Sequence, residues 1–161
     1  ALSSAASDVY KRQEYMWDFY SVGAKEKIIR LSNRVKMQAL PYMSVEEYKN
    51  WITTADIGLS LMLSPHPSMV PIDLALSGTV VVTNTYKNKT EQVLQNICGN
   101  ILAGKPEIDS LLQKIKEAVS MVDKYEKRYE NAKKATYCNS YNKMFSERHW
   151  IWINRMYKNL K

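Results

Sequence analysis

Cysteine and histidine are scarce in this chain, two of each in 161 residues. Cys98 and Cys138 stand 40 positions apart with no metal-ligand spacing around them. They read as small core residues of a reducing compartment, and neither a disulfide nor a metal site is expected. There is no Gly-x-Gly-x-x-Gly and no Walker-type Gly-Lys-Ser/Thr, which removes the main support for dinucleotide oxidoreductases and P-loop ATPases. The apolar runs are no longer than a strand, well short of the ~20 residues that span a bilayer. No internal repeat or low-complexity tract is present.

What is there is the composition of a globular domain, 45% hydrophobic and 24% charged. Residues 1–13, ending SAASDVYKRQ, resemble a translated sequencing adapter. They lack the basic start and apolar core of a targeting segment. This segment is expected to be non-native and without a stable fold, with genuine residues missing upstream. The remaining 148 residues suffice for one domain with a sizeable core.

The net charge of +7 is unevenly placed. Residues 1–112 carry 11 basic and 11 acidic side chains, whereas residues 113–161 carry 12 basic and 5 acidic. A basic tail can meet nucleic acid or anionic lipid, or be a solvated helix face.

Along the chain, 15–22 and 35–40 read as strands, separated by a short polar–apolar segment, 24–32. Ser44 and Glu47 have capping-box spacing, with Tyr48 and Ile52 on one face of the helix that follows. Residues 57–63 and 79–83 are nearly continuous apolar strands, and 97–102 is a candidate last strand. Apolar strands without alternation, separated by helices, indicate a parallel sheet covered on both faces, an α/β architecture. From Pro106 onward the pattern turns helical. The expected organisation is an α/β domain over 14–135 and a helical tail over 136–161.

The chemistry concentrates in residues 60–91. A strand runs into Ser64-Pro65-His66-Pro67-Ser68, then a helix over 69–77, Gly78, a second strand, and Asn84 with Lys87 and Lys89. A helix start offers unsatisfied N–H groups and a positive dipole end, an anion site. Ser68 is placed to cap that helix and Pro71 is tolerated in its first turn, so the amides of Ser68 and Met69 are expected to face an anion. Pro65 and Pro67 stiffen the approach. The same run also fits a plain rigid connector. Asp73, one turn in, can accept from both hydroxyls of a ribose, or simply favour the helix dipole. His66 is a candidate contact to sugar or phosphate. Asn84 and Lys89 follow a strand end, where open α/β sheets bind ligands. Tyr42 and Met43 are candidates for packing on a nucleobase.

Tyr48, Ala55-Asp56-Ile57-Gly58, Leu61-Met62, the Ser64–Ser68 run, Pro71, Ser77-Gly78, Val82-Thr83-Asn84 and Asn88-Lys89 together resemble the WsaF-type rhamnosyltransferases. The resemblance covers about residues 17–119. It implies the donor-binding, C-terminal half of a GT-B glycosyltransferase with a Rossmann-like sheet, truncated at its N-terminus. Ser64, His66, Pro67, Ser68, Met69, Asn84 and Lys89 would hold the donor diphosphate and sugar, and Asp73 would stand where the family has its ribose-binding glutamate. The wider retaining group has a further glutamate eight residues earlier, and Pro65 occupies that place. The resemblance implies transfer of a sugar such as rhamnose from dTDP-rhamnose to a surface glycan. No metal or other cofactor is required, and the enzyme is cytoplasmic or peripheral to the inner face of the membrane through its basic tail. The catalytic base and the acceptor site would belong to the absent N-terminal domain, so the fragment alone is expected to be inactive.

Two other readings compete. The tail residues Tyr125, Arg128, Tyr129, Lys133, Lys134 and Tyr137 could form a nucleic-acid module, although tyrosines at these spacings also fit helix packing. A non-catalytic signalling domain would need a paired-acid pocket at strand ends, and none is visible.

Overall fold

The computed structural model describes residues 17–23, 28–33, 35–137 and 147–158. The segment 1–13 and Cys138 lie outside the described residues, as does the start of the strand expected at 15–22.

The chain opens with β1 (Phe19–Val22), β2 (Ile28–Arg30) and β3 (Lys36–Leu40). They form a sheet in the order β1-β3-β2, with β3 parallel to β1 and antiparallel to β2. The stretch 24–32, expected to be a simple link, therefore contains a short strand. After Pro41 the capping box forms as its spacing dictates. The Glu47 amide donates to Ser44 Oγ at 3.2 Å, and the Ser44 amide donates to Glu47 Oε2 at 2.7 Å. This starts α1 (Val45–Ile52). Its Trp51 meets Tyr20 of β1 edge to face, with ring centroids 6.2 Å apart.

The second sheet is β4 (Ile57–Leu59), β5 (Val80–Asn84) and β6 (Ile101–Gly104), all parallel, in the order β4-β5-β6. Helices lie between and after these strands: α2 (Met69–Leu76), α3 (Glu91–Ile97), α4 (Ile108–Val119), α5 (Tyr125–Lys133) and α6 (Glu147–Lys158).

Every residue of β5 and β6 is buried, and the pleat divides them between two apolar layers. Val81, Ile101 and Ala103 pack with Ile52 of α1, Leu74 and Ala75 of α2 and Leu94 of α3. Val80, Val82 and Leu102 pack with Leu111 and Ala118 of α4. The expected α/β fold is present, a parallel sheet with helices on both faces, because only strands buried on both sides can be apolar throughout.

Two boundaries differ from the expectation. The strand expected at 57–63 ends at Leu59, and Leu61, Met62 and Leu63 are exposed. The strand expected at 97–102 is in fact the end of α3 followed by β6. Thr90 caps that helix, accepting from the Val93 amide at 3.3 Å, and Leu94 and Ile97 dock on the core.

Gly78 ends α2 with φ of 93°. The Thr79 amide bonds back to Leu74 O and the Gly78 amide to Ala75 O, a Schellman closure that a side chain at 78 would strain. Thr79 Oγ1 then sits 3.1 Å and 2.9 Å from the carbonyls of Ile52 and Ala55, tying the end of α1 to the start of β5. Gly58 lets β4 lie against α2, since a Cβ there would stand 2.7 Å from Leu74 Cδ1. Cys98 is a buried core residue, as expected, with its thiol pushed up by burial.

A polar knot closes the far end of the sheet. Arg128, 8% exposed, donates from Nε to Gly78 O at 2.7 Å and from its guanidinium to Val122 O and Asp56 Oδ1. Asn100 donates to Ala75 O and Arg128 O and accepts from Asn131. Replacing Arg128 with Met would leave buried carbonyls without donors. The expected cost is about 2–4 kcal/mol, read as a lower midpoint in urea unfolding.

Candidate functional site

The strands β4, β5 and β6 run parallel, so the chain leaves each of them at one edge of the sheet. The arrangement at that edge centres on the backbone of Met62. Asn84, the last residue of β5 and only 2% exposed, turns its carboxamide toward this segment. Its Oδ1 accepts from the Met62 amide at 2.8 Å, and its Nδ2 donates to Met62 O at 3.1 Å. The side chain thus continues the ladder for one pair beyond the strand. Thr83 Oγ1 donates to Ser60 O at 2.7 Å, and the Ser60 amide donates to Val82 O.

Lys89 completes the clamp. Its Nζ donates to Met62 O at 2.8 Å, with the residue 2% exposed and the ammonium's pKa lowered by burial. A tight turn places it there, with reciprocal backbone bonds between Tyr86 and Lys89 and Lys87 at φ of 50°. Lys87 itself is exposed, over the ring of Tyr86. Among the described residues no carboxylate lies within salt-bridge distance of Lys89, so its charge is met by a carbonyl dipole.

The clamped segment leads into the Ser64–Ser68 corner, which is hydrogen-bonded within itself. The His66 amide donates to Ser64 Oγ at 3.2 Å, and the Ser68 amide donates to His66 Nδ1 at 3.0 Å. With Nδ1 accepting, the imidazole proton resides on Nε2. Ser68 was expected to cap α2 and to aim its amide at an anion, and the structure corrects both points. Its φ of 67° is outside the usual capping region, its side chain makes no cap bond, and its amide is committed to His66. The hydroxyl hydrogens of Ser64 and Ser68, His66 Nε2–H and the first-turn amide of Met69 remain as donors.

Asp73 lies in the second turn of α2, partly buried, and burial raises its carboxyl pKa. Tyr48 of α1 stands close enough to feel that charge. Burial, and then the Asp73 carboxylate, push the phenol pKa up, and its buried Oη has no hydrogen-bond partner. Tyr42 and Met43 precede the cap of α1, with Tyr42 94% exposed.

An apolar groove of about 290 Å³ opens at the same edge. Leu61, Met62, Leu63 and Asn84 line it on one side, and Pro106, Glu107, Ile108 and Leu111 at the start of α4 line it on the other. It escaped the sequence reading because Leu61, Met62 and Leu63 look like buried strand. Of the expected site residues, Asn84 and Lys89 meet at Met62, Ser64, His66 and Ser68 meet within the corner, and Asp73 meets Tyr48. The set proposed for nucleic acid loses Arg128, which is buried in the polar knot.

Comparison with known proteins gives two results. The family model for the WsaF C-terminal domain matches residues 1–116, from the N-terminus into α4. A stretch of 65 residues, 40% of this chain, is 35% identical to the O-antigen biosynthesis protein RfbC of Myxococcus xanthus, and spans 5% of that protein's length.

Asn84→Ala removes both bonds to Met62 and leaves a shielded amide unpaired. It is expected to cost about 2–3 kcal/mol in urea unfolding and to speed hydrogen exchange at Met62 and through the corner. Unchanged exchange at Met62 would show that the carboxamide does not hold the segment.

Proposed function

The chain belongs to the WsaF C-terminal domain family, and from that premise we propose that it binds the nucleotide-sugar donor of a glycosyltransferase that builds a bacterial surface glycan. The observation that carries this reading is the Ser64–Ser68 corner, held at the carboxyl edge of β4 by Asn84 and Lys89 and followed at once by Asp73. Ligands of open α/β sheets lie at that edge. The name of the Myxococcus relative, an O-antigen biosynthesis protein, favours the same class of product.

The donor diphosphate takes the hydroxyls of Ser64 and Ser68, the Met69 amide and His66 Nε2–H. Pro67 keeps the corner from collapsing. Lys89 adds positive potential from behind Met62 rather than as a mobile ligand. The fixed donors oppose the charge that grows on the diphosphate as the sugar leaves, and they need no reorganisation to do so. Asp73 accepts from the ribose hydroxyls, and Tyr42 and Met43 pack on the base. Within this proposal the donor is dTDP-rhamnose, the domain is the C-terminal half of a GT-B enzyme, and acceptor and base catalysis come from a partner domain.

Titration calorimetry with dTDP and dTDP-rhamnose tests the reading. Both are expected to bind at one site, and Asp73→Asn to weaken them about tenfold, the worth of one hydrogen bond to a charged group. Absence of heat with either ligand would sink the proposal. A second consequence concerns stability. Burial raises the Asp73 pKa in the folded chain, so its contribution is most favourable below the unfolded value near 3.9 and is lost as pH rises through the folded value. Asp73→Asn should therefore raise the melting temperature at pH 7 and leave it nearly unchanged at pH 3.

A further inference from the structure

Tyr48 carries a cost that its packing does not explain. Its ring lies against the core layer that holds Leu74 and Ala75 of α2, yet its Oη is buried with no hydrogen-bond partner among the described residues. A phenylalanine would fill the same space without that penalty, since a polar atom taken out of water and left unpaired opposes folding. The helices show what lies next to it. α1 and α2 lead into β4 and β5, which are parallel neighbours, and both cover the same face of the sheet. They touch at one level through Ser77 Oγ, which donates to Ile52 O at 3.3 Å. Four residues earlier on each helix, one turn toward the carboxyl edge, stand Asp73 and Tyr48. Burial, and then the Asp73 carboxylate, push up the Tyr48 pKa, so the two side chains are neighbours. Burial also raises the Asp73 pKa, and no hydrogen bond or cation among the described residues offsets it. A donor without an acceptor thus stands beside an acceptor without a donor.

We propose that Tyr48 is a positioning residue for Asp73. When a nucleotide seats at the carboxyl edge, a turn of the Asp73 side chain brings one carboxylate oxygen onto the Tyr48 hydroxyl. The other oxygen is then directed outward, where it accepts from a hydroxyl of the nucleotide's sugar. This role rests on the nucleotide-binding reading above and adds to it a residue outside the Ser64–Ser68 corner. The terminal torsion of an aspartate is broad and roughly two-fold, so the side chain can turn while both helices stay in place. A hydroxyl donating to an ionised carboxylate makes a charge-assisted bond, stronger than one between neutral groups. Such a bond also favours the charged form that burial disfavours.

Titration calorimetry on the full chain with two probes tests this role. One is dTDP, and the other is 2′,3′-dideoxythymidine diphosphate, which has the same base and diphosphate but no sugar hydroxyl. Tyr48→Phe is expected to weaken dTDP about fivefold, the worth of one hydrogen bond. It should leave the affinity for the dideoxy probe unchanged. In an Asp73→Ala background the same substitution should add no further loss for dTDP. Because Tyr48→Phe removes only an unpaired hydroxyl, its melting temperature should match or exceed that of the wild type, which separates binding from folding. Equal weakening of both probes would make Tyr48 a purely structural residue and overturn the proposal. So would a dTDP affinity that ignores Tyr48→Phe. Either result would leave nucleotide binding itself standing, whereas a wild-type chain that binds neither probe would remove both readings.

Discussion

The two-pronged hold on Met62 is the constraint on which the edge of the sheet depends. A carboxamide at the end of β5 substitutes for a strand, giving the Met62 amide an acceptor and the Met62 carbonyl a donor. The Lys89 ammonium then takes the second lone pair of that carbonyl. Burying an ammonium against a single dipole is costly, and the lowered pKa is the sign of that cost. The surrounding geometry offsets it, because Asn84 and Lys89 both extend from a fully buried strand and its tight turn. The donor-binding role proposed for the corner calls for a rigid base, and this arrangement is one.

Behind the edge, the sheet is held by alternation. Val80 and Val82 face α4, while Val81 faces α1, α2 and α3. The position of α2 relative to β4 and β5 is fixed at both ends. Its start is set by the corner, and its end by the Gly78 closure and the bond from Arg128 to Gly78 O. The carboxylate of Asp73 is therefore placed by contacts on either side of it. The close approach allowed by Gly58 adds a third.

Much of this was legible in the sequence where the signal is local. The Ser44–Glu47 capping box formed because both partners lie within four residues. The apolar run of β5 marked a strand covered on both faces. The failures share one cause, which is dependence on distant partners or on backbone angles. Lys89 was read as a ligand of the diphosphate, and nothing nearby in the sequence marks the Met62 carbonyl, 27 residues away, that its ammonium meets in the fold. Ser68 looked like a cap because its letter and position suit one, yet its φ of 67° is set by the turn through Pro67 and His66. The helix α3 carried a local signal, Thr90 followed by Glu91, but the apolar letters from Ile97 to Leu102 invited a single strand across what are two elements. Arg128 was counted with the exposed basic tail, and nothing nearby in the sequence marks its three carbonyl and carboxylate partners.

β4 has a consequence of its own. Among the described residues it pairs only with β5, so its other flank carries main-chain groups with no ladder, next to side chains as apolar as Leu59 and Leu63. Such a flank accepts any extended polypeptide that runs alongside, whether foreign or a twin. With only three residues, β4 offers that flank over a short length, which limits how much ladder a neighbour can build on it.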